Sequence, residues 1–357
     1  MIRQSLDFLR AQQLYLFFLG LLSLVYAVLL LVPKPLHPES VSPQYQAFQK
    51  AEKKLQTELS TPGNLEDLYR RKPAATAAFI GYSALFGALF FTGFLLDSLL
   101  VFHPGFRRRF VRIFPLEPKP WALSFLLRVV VHFLALSLAV NLLFSGAVGL
   151  FPGLNVQMLA LIHTGLMDAA MALLILRELG FSWNAVRSFG FDLKGRPWWG
   201  EAGFGLGGYL AVIPVFAAIL ALLVTVAQML SYEPQPHPLV DVFLSEQKQD
   251  QWLIGFSIFL ACVWGPFFEE VFFRGLCYPL FKRMWGGIAG ALASSFLFAL
   301  IHHNEFAFLP IFILGLGLTL LYEKRGNLAA PVALHIFHNT LFIGYFFSAK
   351  ALLAPGP

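Results

Sequence analysis

Apolar residues in this chain run in long unbroken blocks, and the Pro, Gly and charged residues gather in the stretches between them. The first block, LYLFFLGLLSLVYAVLLLV at 14–32, is longer than a signal-peptide core and matches a helix that crosses a bilayer. PKPLHP follows it rather than a small-residue cleavage site, so a retained anchor is expected. Further blocks lie at 74–102, 121–151, 156–176, 203–230, 252–273, 287–303, 306–322 and 327–347. Hydrocarbon offers no partner for open backbone groups, so blocks of this length predict helices. The expected fold class is all-α, a polytopic transmembrane helical bundle of about nine spans.

The polar stretches organise the rest. The longest, 33–73, contains YQAFQKAEKKLQTEL, with Lys and Glu interleaved, and then the turn signal STPGN, which together predict a solvated helical hairpin cap. A second stretch, FDLKGRPWWGEAGFG at 191–205, is the best internal boundary. It separates an N-terminal membrane region, 1–200, with four spans and the outer loop 33–73, from a C-terminal region, 201–357, with five. No internal repeat or low-complexity tract is visible.

Composition agrees with a membrane class: 57% of residues are hydrophobic, 13% are charged and mean hydropathy is +0.68. The net charge of +6 does not point to nucleic acid, because the cations sit in short connections between apolar blocks. Arg3 and Arg10, the clusters at 107–112, 177–196, 282–283 and 324–325, and Lys119 all fall on one side if the N-terminus is cytoplasmic. The remaining cations sit mostly in loop 33–73, and long loops weigh little in the positive-inside bias. A multi-pass protein of the plasma (inner) membrane with a cytoplasmic N-terminus is expected. Cys262 and Cys277 lie in or beside apolar blocks and form no metal-binding or disulfide pattern.

Three ionisable groups nevertheless interrupt an apolar block in GPFFEEVFFRG at 265–275. On a helix, with Pro266 at a kink or near the start of a turn, Glu270 and Arg274 are spaced i, i+4 in the favourable order for an ion pair. Glu269 projects about 100° away and needs another partner. A carboxylate beside a like charge in low dielectric suits general acid or base work. Taken alone, the stretch reads equally well as a buried pair that fixes packing.

Two later blocks change that reading. SFLFALIHHNEF ends the seventh block with His302 and His303, and ALHIFHNTLF places His335, His338 and Asn339 in the ninth. Phe298 and His302, and His335 and Asn339, are i, i+4 pairs. With a turn at MWGG, 284–287, Glu269 and His302 each lie about 24 Å from that turn in an antiparallel hairpin. Counted from a turn near Arg325, His335 lies about 15 Å along its helix and Asn339 about 21 Å, within reach once the helix tilts. One glutamate, two histidines and an asparagine then converge in the membrane, where each charged group costs about 2.5 to 3.5 kcal/mol.

The motifs EEVFFR (269–274), FALIH (298–302) and HIFHN (335–339), in this order on separate spans, resemble the CPBP family of CAAX prenyl and bacteriocin-processing intramembrane proteases. The resemblance covers roughly 250–345, so region 201–357 is expected to be the CPBP-like protease domain. His303 beside His302 departs from the family pattern and leaves open which imidazole points inward.

The resemblance implies hydrolysis of a peptide bond within the membrane, with Glu269 matching the family's catalytic glutamate. The same roles follow from the side chains: Glu269 takes a proton from water, His302 holds the water, and His335 and Asn339 polarise the carbonyl. Glu270 and Arg274 are expected as supports. A cofactor is either absent or a divalent metal such as zinc, which Glu269, His302 and His335 would hold. No HExxH is present and no carboxylate is evident to orient a metal-bound histidine. The expected partners are the bilayer and a membrane-embedded or membrane-tethered peptide, lipidated or not, with no nucleic acid. The rival classes are a catalytically silent scaffold or immunity protein of the same fold, and a transporter, which would be expected to show repeat symmetry.

Overall fold

The computed structural model describes residues 2–31, 43–59, 64–110, 119, 121–151, 153–193, 195–232, 234, 239–244 and 251–353. The stretch 33–38, the turn residues 60–63, Arg112 and Lys194, all used above, lie outside the described residues. Among the described residues there is no strand. The helices are α1 (Ile2–Leu31), α2 (Pro43–Leu59), α3 (Asn64–Arg71), α4 (Pro73–Phe102), α5 (Pro104–Phe110), α6 (Leu123–Leu150), α7 (Val156–Glu178), α8 (Trp183–Val186), α9 (Trp198–Met229), α10 (Leu239–Leu244), α11 (Gln251–Trp285), α12 (Gly287–Leu300), α13 (Phe308–Arg325) and α14 (Ala329–Leu353).

Among the described residues, seven helices are long and apolar enough to cross a membrane: α4, α6, α7, α9, α11, α14 and the part of α1 from Ala11 to Val28. The two other expected spans are α13, whose last turn carries Glu323, Lys324 and Arg325, and α12, with 14 residues. The arrangement is a polytopic helical bundle, compatible with about nine spans. At about 1.5 Å per residue α12 rises about 21 Å, short of a hydrocarbon core of about 30 Å. The irregular stretch 301–307 that follows it therefore sits at membrane depth, which is tolerated where backbone is buried in protein or lines a hydrated cavity.

The expected turn at 284–287 is present: Gly286 has φ 84°, a backbone region that glycine enters without steric cost, and α11 and α12 fold back on each other there. Two apolar clusters flank α11. One joins Trp121, Phe125 and Ile175 to Val271, Leu276 and Tyr278; the other joins Tyr209, Leu318 and Leu334 to Phe273 and Phe298. The hairpin expected in 33–73 is built from α2 and α3, whose Leu55 and Leu68 pack on Leu352 at the end of α14. Lys72 Nζ donates to Leu352 O at 2.7 Å, tying that cap to the bundle.

The boundary stretch 191–205 is not all linker. Helix α9 begins at Trp198, right after Pro197, and Glu201 is fully buried. Glu201 accepts from Arg325 Nε at 2.8 Å and Asn327 Nδ2 at 3.0 Å, and Arg196 pairs with it at 3.2 Å. Glu201 and Arg196, which read as loop composition, are therefore engaged by the α13–α14 turn.

That turn also stands higher than residue counting placed it. Leu328 N donates to Gly190 O at 2.8 Å, and the adjoining Phe189 ring fills the space beside the Gly275 Cα. The start of α14 is therefore level with Gly275, about 16 Å along α11 from Gly286. Six residues more, about 9 Å, bring His335 to the level of Glu269.

Candidate active site

The motif helix α11 widens into π turns at Leu260–Trp264 and Val271–Cys277, on either side of the α-helical segment Gly265–Glu270. Pro266, which has no N–H to donate, lies inside the continuous helix α11 just after its first π turn. Such widened turns expose backbone carbonyls, and one is taken up at once: Asn339 Nδ2 donates to Ala261 O at 2.7 Å. Asn339 thus ties α14 to α11.

Beneath the site, the expected pair forms. Arg274 donates to Glu270 Oε1 at 2.8 Å, and both side chains are fully buried. A second guanidinium nitrogen donates to Gly315 O at 2.9 Å, and the guanidinium lies over the Phe298 ring, 4.5 Å from its centroid. Glu270 Oε1 has another neighbour: His335 Nδ1 lies 2.9 Å away. A carboxylate therefore does orient a site histidine, contrary to the expectation from sequence. The residues are 65 positions apart, so no local spacing reports the contact.

Glu269, His302 and His335 come together, as expected. His302 Nε2 is 4.0 Å and His335 Nε2 is 3.8 Å from Glu269 Oε2. His302 Nδ1 lies 2.7 Å from the carbonyl of Phe298. Since a carbonyl and a carboxylate only accept, both Nδ1 atoms carry a proton, and both Nε2 atoms face Glu269. Glu269 Oε2 is buried and has no hydrogen-bond partner among the described residues. Glu269 and His302 keep 28% of their side-chain surface exposed, His335 only 4%.

His303 is turned away. It is exposed and its backbone is left-handed, φ 48°, which swings its side chain out of register with His302. His338 is buried elsewhere, with Nδ1 3.2 Å from Tyr209 OH and its ring among Phe216 and Phe342.

Two imidazoles and a carboxylate are zinc ligands in kind. Zinc bonds of about 2.0 to 2.2 Å in a tetrahedron place ligand atoms about 3.4 Å apart, closer than these. Among the described residues no group of three His, Cys, Asp or Glu is arranged to hold a metal ion. As placed, the donor atoms of Glu269 and the two imidazoles stand wider apart than tetrahedral zinc ligation requires.

Two contributions were not foreseen. Phe189 and Gly190, ahead of the supposed boundary, brace α11 and α14 beneath the site. Trp264 Nε1 of α11 donates to Gly165 O of α7 at 3.1 Å, and three residues further along α7, against the Gly265–Glu270 segment of α11, lies Asp168. The signal in the sequence was a lone acid inside the block LIHTGLMDAAMALLIL.

The family model for the type II CAAX prenyl endopeptidase Rce1-like domain matches residues 251–341. The membrane-embedded CAAX protease MroQ of Staphylococcus aureus (strain USA300) is 34% identical over 89 residues. That match takes in 23% of this chain and 36% of MroQ, so the chain spans about a third of that relative's length. No solved structure matches. In this multi-pass membrane protein, residues 251–341 form a CAAX-protease-like domain of the CPBP family.

Proposed function

We propose that this protein is an intramembrane endopeptidase in which Glu269 activates water to hydrolyse a peptide bond. The observation that carries the reading is the meeting of Glu269 Oε2 with two imidazole Nε2 atoms at 3.8 and 4.0 Å, each ring fixed through its Nδ1. These separations are too long for direct hydrogen bonds and are of the length that one water bridges between Glu269 and an imidazole.

Glu269 Oε2 takes a proton from that water as its oxygen attacks the carbonyl carbon. His302 orients the water. His335, with Glu270 behind its Nδ1, can carry a second proton on Nε2 and donate it as a hydrogen bond to the developing oxyanion. Asn339 has a second N–H beyond the one on Ala261, available to the same oxygen. Collapse of the tetrahedral species breaks the C–N bond, and Glu269 returns the proton to the leaving amine. No metal enters any of these steps.

The substrate is a membrane-embedded or membrane-tethered peptide, lipidated or not, cut in the plasma membrane by an enzyme whose N-terminus is cytoplasmic. Purified wild type and Glu269→Gln are compared on a library of membrane-tethered peptides read by mass spectrometry. Products from wild type alone are expected; products from neither make the chain a silent scaffold of this fold.

A further inference from the structure

The buried and half-buried carboxylates Glu178, Glu201, Glu270 and Glu323 have cations of the protein beside them: Arg128 at 2.5 Å from Glu178, Arg325 and Arg196 at Glu201, Arg274 at Glu270 and Lys282 at Glu323. Asp168 does not. It is half-buried in the middle of α7, a membrane-spanning helix, and among the described residues makes no hydrogen bond or ion pair. The cation that follows Glu269 on the motif helix, Arg274, is spent on Glu270 and the Gly315 carbonyl.

The position of Asp168 is set by packing. Gly165 carries no side chain, and a Cβ there would meet Leu260 at 3.3 Å; its carbonyl is held by Trp264 Nε1 at 3.1 Å. Those contacts lock α7 against the first π turn of α11. Asp168, three residues on, shares the Gly165 face of α7, the helix packed against the segment of α11 that carries the partly exposed Glu269.

We infer that Asp168 determines specificity by receiving a positively charged group of the substrate, a Lys or Arg side chain close to the scissile bond. A charged carboxylate at membrane depth is costly without a counter-charge. Among the described residues none stands beside Asp168, and a cation on the bound peptide would supply it. This deepens the endopeptidase reading and rests on it.

The test uses the full-length protein in lipid nanodiscs and membrane-tethered peptides carrying Lys, Gln or Glu in turn at each of the three positions flanking the cleaved bond on either side. At one position wild type is expected to favour Lys over Gln by about tenfold or more in kcat/KM, the worth of about 1.4 kcal/mol. The preference should persist in Asp168→Glu, fall to within about twofold of unity in Asp168→Asn, and turn towards Glu in Asp168→Lys. A loss of fold cannot mimic that reversal. An unchanged Lys preference in Asp168→Asn, or no charge preference in wild type at any position, overturns the inference. The same series is photo-crosslinked to Glu269→Gln with and without Asp168→Asn. If wild type cleaves nothing, the endopeptidase reading fails, and crosslinking decides separately: a Lys preference removed by Asp168→Asn supports the cation site, and equal capture of all three peptides overturns it.

Discussion

His335 is held by Glu270 while it faces Glu269: its Nδ1 lies 2.9 Å from Glu270 Oε1 and its Nε2 lies 3.8 Å from Glu269 Oε2. The adjacent glutamates therefore have separate tasks on the same ring. One orients it and the other shares its outer nitrogen with the reaction.

Removing that orienting carboxylate should harm both fold and chemistry. Glu270→Ala leaves Arg274 buried without its counter-charge and His335 Nδ1 without an acceptor. The expected loss is about 3 to 5 kcal/mol of stability, with cleavage abolished. Melting curves in detergent that overlay wild type would show that the pair does not support the fold.

Glu269→Gln should abolish cleavage and leave the melting temperature within a few degrees, because an amide cannot take the proton and Glu269 makes no hydrogen bond that the fold needs. Prolonged dialysis against a strong chelator should leave wild-type turnover within about twofold, as the 3.8 and 4.0 Å spacings do not suit zinc. Elemental analysis returning one equivalent of tightly bound zinc, lost together with activity, would contradict this.

The neighbouring histidines should behave oppositely. His302→Ala removes a ring that faces Glu269 and is expected to eliminate turnover, whereas His303→Gly should keep at least half of it. At φ 48° glycine is the better residue, so His303→Gly should melt no lower than wild type. Loss of activity in His303→Gly with His302→Ala active would exchange their roles.

Asn339→Ala leaves the Ala261 carbonyl without its donor and removes a candidate oxyanion contact. The expected costs are about 1 to 3 kcal/mol in stability and about 10²-fold to 10³-fold in kcat. A stability loss with kcat unchanged would confine Asn339 to holding the helices together.

Gly275→Ala drives a methyl group into the Phe189 ring and should destabilise the protein by about 1 to 3 kcal/mol. Phe189→Leu in the same chain should restore part of the loss, since a smaller side chain leaves the added methyl room. No recovery in the double variant would show that the two residues do not press on each other.

The sequence by itself determined the membrane class, the helical fold, the Gly286 turn and the Glu270–Arg274 pair. All of these follow from local rules. Bilayer thickness sets the length of an apolar block, and the helical period puts residues four apart on one face. Only the tertiary structure decided that His335 Nδ1 belongs to Glu270, that His302 and not His303 faces the site, and that Asn339 is engaged by Ala261. The level of α14 likewise depends on Gly190 and Phe189, and the place of Asp168 on Gly165 and Trp264. Each of these contacts joins segments far apart in the chain, apart from the choice between His302 and His303, which turns on one left-handed residue at the end of α12. Packing between helices settles which faces meet, and periodicity along a single helix carries no record of its neighbours.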